Sequence, residues 1–66
     1  MPQRRLTEQY RPGDLVEIAF ANDRQGRWWP GRVVRPEPPG LWVALFDGAQ
    51  FFVTNARHIR LLSGPR

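Results

Sequence analysis

Large apolar residues alternate with smaller or polar ones in short segments of the chain, and turn residues separate these segments. In GDLVEIAF, positions 16, 18 and 20 follow the two-residue period of a half-buried strand. Similar segments follow at WWPGRVVR, LWVALF, FFVT and IRLL, and NARH predicts a short helical turn begun by Asn55. The pattern therefore predicts an all-β fold, a small barrel of five antiparallel strands with a helical turn before the last strand.

The predicted core depends on the turn at 47–48, an Asp-Gly pair that is the strongest hairpin signal in the chain. A two-residue turn would place alternate residues of the third strand on the face of Phe52. A three-residue turn that includes Ala49 gathers the apolar side chains on one face and leaves Trp42 and Phe46 on the other, so we prefer it. Pro30 has no amide hydrogen, which predicts an edge or a bulge in the second strand. The predicted core residues are Val16, Ile18, Gly31, Val33, Leu41, Val43, Leu45, Phe51, Val53, Ile59 and Leu61.

The domain is expected to span residues 12–62. Residues 1–11 are mostly polar and predict a flexible arm, pinned at Tyr10, and residues 63–66 predict a disordered tail. The start of the chain lacks the apolar segment of a signal peptide, and no apolar run approaches the roughly 20 residues of a membrane helix. We therefore expect a cytoplasmic protein that does not contact membranes. With no Cys and one His, disulfides and thiolate zinc sites are excluded.

Arginine supplies the positive charge of the chain. The net charge is +4, and all ten basic residues other than the single His are Arg. Guanidinium groups bind phosphates in pairs of hydrogen bonds and stack on rings, so this composition suits nucleic acid or an acidic partner. A coding sequence that favours Arg codons would give the same composition. Arg32 and Arg35 are expected on opposite faces of the second strand. The candidate nucleic-acid-binding residues are Arg24, Arg27, Arg32, Arg57 and Arg60.

Three segments carry a resemblance to a known group of domains. GDLVEIAF resembles the first strand of PWWP domains, RWWPGRVV resembles the motif that names them, and ALFDG resembles a turn of Tudor and PWWP domains. Arg27 departs from the motif, because PWWP domains usually have Pro or Tyr there. Over residues 12–62 the chain thus resembles the Tudor, PWWP and Agenet domains of the Royal superfamily. The resemblance implies an SH3-like barrel and a non-catalytic module that binds a methylated or cationic side chain of a partner protein.

The same resemblance implies an aromatic cage formed by Phe20, Trp29 and Phe46. Ring faces attract a poorly hydrated methylammonium or methylguanidinium group. Asp47 beside the rings would favour lower methylation states, which keep a hydrogen to donate. The alternative is that the three rings close one end of a small core.

The sequence leaves open the roles of two further tryptophans and an alternative function. Trp28 and Trp42 are accessory candidates, which cover a barrel edge, stack on bases or contact a second copy. A small basic barrel that binds nucleic acid is the alternative function, and its location would then be the nucleoid or the nucleus. We expect a monomer or a weak homo-oligomer.

Catalysis has little support in the sequence. No Ser-His-Asp set or carboxylate pair stands out, so we predict no enzyme, no cofactor and no metal. AQFF, residues 49–52, is faintly similar to the Val-Gln-Ile-Tyr pore motif of plasmid-borne type II dihydrofolate reductases, which are NADPH-dependent homotetramers. Gln50 matches that motif, but Phe52 lacks the tyrosine hydroxyl. This resemblance implies a second alternative, a reductase of that type.

Overall fold

The computed structural model describes residues 5–62, so the predicted tail at 63–66 and the first four residues of the predicted arm lie outside the described residues. The elements in chain order are α1 Leu6–Gln9, β1 Leu15–Ala19, β2 Trp28–Glu37, β3 Gly40–Leu45, β4 Gln50–Val53, a 3-10 turn Ala56–His58, and β5 Ile59–Leu61. The all-β class, the five strands and the helical turn before the last strand are confirmed. Within residues 5–62, no helix is long and apolar enough to span a membrane.

All five strands belong to one antiparallel sheet in the order β4-β3-β2-β1-β5. The sheet curls strongly, because Phe20 after β1 touches Phe51 of β4 although two strands separate β1 from β4. Their ring centroids are 4.8 Å apart. The curled sheet encloses its inner face and gives the barrel that the strand pattern predicts.

The core lies on the inner face of this sheet. Most of the predicted core is buried, and Gly31 is buried with it. Leu45 is only half-buried, while Phe51 and Leu61 are exposed because they lie towards the ends of the edge strands β4 and β5. The prediction of Phe51 and Leu61 as core residues is therefore wrong, whereas Leu45 packs against the core cluster. The buried hydrophobic residues are Leu6, Val16, Ile18, Val33, Leu41, Val43, Val53 and Ile59.

Helix α1 lies within the predicted flexible arm and was missed by the sequence analysis. Leu6 belongs to the core cluster and is 6% exposed, and α1 packs against β3. Tyr10 packs at the margin of the core, and its hydroxyl donates to the carbonyl oxygen of Ile59 at 3.4 Å. Burial, and then the charge of Asp14, raise the pKa of Tyr10. The chain before β1 is thus attached to the barrel at two side chains.

The hairpin between β3 and β4 sorts its residues as predicted. Leu41 pairs with Val53 and Val43 pairs with Phe51, so the apolar side chains share a face. The loop has three residues, but they are 46–48 rather than residues up to Ala49, and the ladder is shifted by two positions. The glycine of this loop has a φ of +97°, which few other residues adopt.

Strand β2 contains both an edge-like proline and a bulge. Pro30 pairs with β1, and β3 ends opposite Gly31, so Pro30 lies past the end of β3 where no ladder partner is lost. The register shifts between Val33 and Arg35, which leaves Val34 as an extra residue. As a result, Arg32 and Arg35 lie on the same outer face, and the prediction of opposite faces is wrong.

Candidate binding site at the aromatic end of the barrel

Four rings are brought to one end of the barrel by the strand register. Phe20 directly follows β1, Trp29 is the second residue of β2, and β3 ends just before Phe46. Phe51 is the second residue of β4. It lies at the same end, because the end of β1 pairs with the start of β2 and the start of β4 pairs with the end of β3. We call this set, Phe20, Trp29, Phe46 and Phe51, the aromatic end. It includes the three predicted cage residues and one that the sequence analysis assigned to the core.

Phe20 is packed edge-on against Phe51, with an angle of 68° between the ring planes. The two rings help to line a pocket of about 210 Å³, together with Asn55 and His58. Trp29 and Phe46 do not line this pocket. Phe20 therefore meets Phe51 rather than the other two predicted cage rings. The missed signal is the position of Phe51 near the start of an edge strand.

Trp29 carries a cation on its ring. Its side chain is 39% exposed, and the guanidinium carbon of Arg27 lies 5.3 Å from the ring centroid. Arg27 Nε donates to Asp23 Oδ2 at 3.1 Å. The amide of Gln25 donates to the other oxygen of Asp23, and this bond, followed by the bond from Arg27, lowers the pKa of Asp23. The first loop thus keeps a guanidinium group over the indole face.

Phe46 and Asp47 form the exposed tip of the same end. Phe46 is 65% exposed and, within residues 5–62, makes no ring contact. Asp47 Oδ1 accepts a hydrogen bond from the amide of Ala49 at 3.0 Å, which fixes the carboxylate in the turn. Asp47 forms no ion pair with the described part of the chain. A carboxylate and an open ring are therefore available to a ligand at this loop.

Trp28 lies on the outer face and is covered by the protein itself. The guanidinium carbon of Arg60 is 3.9 Å from the Trp28 ring centroid, and Arg60 Nε donates to Glu17 Oε1 at 2.9 Å. Arg60 thus already has two partners at the place where a phosphate contact was predicted.

Trp42 is the centre of a second group on the outer face. Its ring centroid is 5.1 Å from that of Phe52, and the guanidinium carbon of Arg35 lies 5.8 Å from the Trp42 ring. Glu37 Oε1 accepts from Arg35 at 2.8 Å and from Trp42 Nε1 at 3.3 Å. The Arg35 bond, and then the Trp42 bond, lower the pKa of Glu37. Arg32 lies one row further along this face, opposite Ala44.

The five arginines predicted to bind nucleic acid belong to different elements of the fold. Arg27 and Arg60 are engaged with rings and carboxylates at different places. Arg24, Arg32 and Arg57 form no ion pair with any carboxylate among the described residues. Arg24 belongs to the first loop, Arg32 to the outer face and Arg57 to the 3-10 turn.

Two other kinds of site, a metal site and a reductase-like pore, have little support among residues 5–62. Across residues 5–62, no group of three or more His, Cys, Asp or Glu residues could hold a metal ion. Within the AQFF segment, Gln50 pairs with Ala44 and Phe52 pairs with Trp42. These two side chains therefore lie on the outer face.

Comparison with known proteins leaves the family open. No protein-family model, no curated protein and no solved structure matches this chain. The resemblances to Tudor-type domains and to type II dihydrofolate reductases therefore stay predictions based on the quoted residues.

Proposed function

We propose that the protein is a non-catalytic binding module that recognises a methylated or otherwise cationic side chain of a partner protein at its aromatic end. The observation that carries this proposal is the guanidinium group of Arg27 over the ring of Trp29. A cation already occupies this indole face, and the face lies at an exposed end of the barrel. An incoming methylammonium group would make the same kind of contact.

Three further features support the proposal. Phe46 is exposed on the loop that follows β3, at the same end as Trp29. Asp47 supplies a negative charge that no described cation neutralises. The contact between Phe20 and Phe51 gives this end a packed base. Each ring that meets a cation contributes about 0.5–2 kcal/mol, so two rings and a carboxylate give a weak and selective site.

The test is a titration with short peptides that carry unmodified, mono-, di- or trimethyl-lysine, or dimethyl-arginine, followed by amide NMR shifts. We expect mono- or dimethyl-lysine to bind most tightly. Unlike trimethyl-lysine, they keep a hydrogen for Asp47, and unlike unmodified lysine, they carry poorly hydrated methyl groups for the rings. Trp29→Ala should weaken binding about tenfold, in line with the loss of one ring–cation contact. Trp42→Ala is the matched control, since that ring lies on the outer face, and it should leave binding unchanged.

The stability of Trp29→Ala separates this proposal from a purely structural role. Removal of a fully buried Trp costs about 3–5 kcal/mol, and Trp29 is only partly buried, so we expect about 2–3 kcal/mol. The variant should therefore remain folded and bind poorly. If the folded protein responds to none of the peptides, the proposal is wrong. A preference for trimethyl-lysine would remove the role of Asp47 and keep that of the rings.

A second candidate function, binding of single-stranded nucleic acid, is favoured by the bulge at Val34. Because of it, Arg32 and Arg35 lie on the same outer face as the ring pair Trp42 and Phe52. Bases stacked on such rings gain about 1–3 kcal/mol each, and arginines beside them neutralise phosphates.

The test of this second candidate is fluorescence anisotropy with a labelled oligothymidine. Binding should weaken steeply between roughly 50 and 200 mM salt, because each phosphate contact releases counterions. Phe52→Ala should weaken it further at fixed salt, whereas Phe46→Ala, a change at the other site, should not. No binding at the lower salt concentration would remove this candidate.

A further inference from the structure

A further cavity lies at the end of the barrel opposite the aromatic end. It is a cleft of about 870 Å³ between α1, the Pro38–Pro39 turn and residues 54–57. The Pro38–Pro39 turn precedes the first residue of β3, and residue 54 follows the last residue of β4. Because these two strand ends are paired, the length of β3 separates this cleft from the aromatic end. Its volume is within the range of small-molecule pockets and well above that needed by a single inorganic ion.

The charge of the cleft is entirely positive. Arg5 and Arg57 line it, and no carboxylate of residues 5–62 does. Neither arginine forms an ion pair with a carboxylate among residues 5–62, whereas the arginines over the three tryptophan rings each have one. Glu8 is the nearest acidic residue in sequence, and its carboxylate accepts from the backbone amide of Arg5 instead. Two guanidinium groups are therefore available to an anion.

The other lining groups are suited to the same ligand. Thr7 and Thr54 bring hydroxyl groups to the cleft. Asn55 Oδ1 accepts from the backbone amide of Arg57 at 2.9 Å, so the amide nitrogen of Asn55 keeps both of its hydrogens for a ligand. Hydroxyl, amide and guanidinium donors are the groups that bind phosphate oxygens in proteins.

One wall of the cleft is apolar. Pro38 and Pro39 contribute ring carbons and no amide hydrogen, and Leu6 is buried beneath. A phosphate alone would leave this wall empty. We propose that the cleft binds a nucleoside phosphate, with the phosphate groups at Arg5 and Arg57 and the nucleoside against the two prolines. The source of this chemistry is a free nucleotide or the phosphorylated end of a nucleic acid.

The experiment uses the full chain and three probes, ADP, inorganic pyrophosphate and a 5′-phosphorylated dinucleotide, with amide NMR shifts at residues 54–57 as the readout. We expect ADP to bind more tightly than pyrophosphate, because only ADP contacts the proline wall. Binding of ADP assigns a free nucleotide, and binding of the dinucleotide alone assigns a nucleic-acid end. Equal affinity for ADP and pyrophosphate, or no response to any probe, would overturn the proposal.

Single variants identify the groups that bind. Arg57→Gln should weaken binding about tenfold, since a charge-assisted contact is lost. It should not disturb the 3-10 turn, because Asn55 caps that turn through the backbone amide of Arg57. Arg11→Gln is the matched control, with the same loss of charge at an exposed arginine that does not line the cleft. Equal weakening by both variants would mean a general charge effect and would overturn the site, and Thr54→Val should weaken binding without any change in charge.

Discussion

Replacement of Leu6 by Ala tests whether α1 is part of the folded core. Leu6 is 6% exposed and lies among the buried residues of the sheet, although it belongs to a single helical turn. Truncation of a buried Leu to Ala costs about 2–5 kcal/mol. We expect the lower part of this range, about 2–3 kcal/mol, because so short a helix can shift to fill part of the space. A domain of this size has about 5 kcal/mol of stability in total, so the variant should lose about half of it and stay folded at room temperature.

The assay is urea denaturation followed by tryptophan fluorescence, with the free energy of unfolding compared between variants. Leu62→Ala is the matched control, because Leu62 is 39% exposed at the other end of the described chain, and it should cost less than about 1 kcal/mol. If Leu6→Ala costs no more than Leu62→Ala, α1 does not contribute to the core and the burial argument is wrong.

Three other changes have defined expectations. Arg27→Ala should tighten methylated-peptide binding about two- to fivefold, because the internal cation no longer competes for Trp29; weaker binding in the NMR titration would contradict this. Gly31→Ala should destabilise the domain by about 1–3 kcal/mol in thermal denaturation, because its Cβ would lie 2.7 Å from a backbone carbonyl oxygen of β3, and an unchanged midpoint would contradict the packing. The pKa of Asp23 is lowered by the amide of Gln25 and by Arg27, so its contribution to stability is present above the unfolded pKa and lost as the pH falls through the folded one. Carboxyl NMR titration should find this pKa below its usual range.

The strands could be predicted from the sequence because their signals are local. Alternation of apolar and polar residues sets each strand, and turn residues such as Gly48 set the boundaries. The faces of β3 and β4 were predicted correctly, as the pairing of Val43 with Phe51 shows, although the loop itself lies at 46–48 and does not include Ala49. These predictions use residues that are close together in the sequence, and they do not require contacts between strands that are far apart in the chain.

The features that the sequence did not predict depend on non-local packing. Leu6 lies in a polar segment with no periodic pattern, and it is buried only because α1 meets β3. The extra residue at Val34 cannot be read from alternation, since a bulge is defined by the partner strand. Phe51 has the same pattern as a core residue and is exposed because it lies near the start of the edge strand β4, whereas Val53 at the end of the same strand is buried.

The common location of the three predicted cage rings could be predicted from the sequence, and their contacts could not. Strand ends place Phe20, Trp29 and Phe46 at one end, and the sequence gives those ends to within a few residues. Which ring faces which depends on the curl of the sheet, and the curl brings Phe20 to Phe51. The contact between Arg27 and the ring of Trp29 depends on the conformation of the first loop. The alternation of apolar and polar residues does not predict this conformation.

The bulge at Val34 has a consequence for how this chain can change in length. Between Gly31 and Glu37, the β3 ladder skips Val34, because Val33 pairs with Val43 and Arg35 with the adjacent Trp42. A deletion of Val34 would leave every one of these pairs in place, because the skipped residue has no partner in β3. Strand β2 can therefore lose one residue at this bulge while its register with β3 stays the same on both sides.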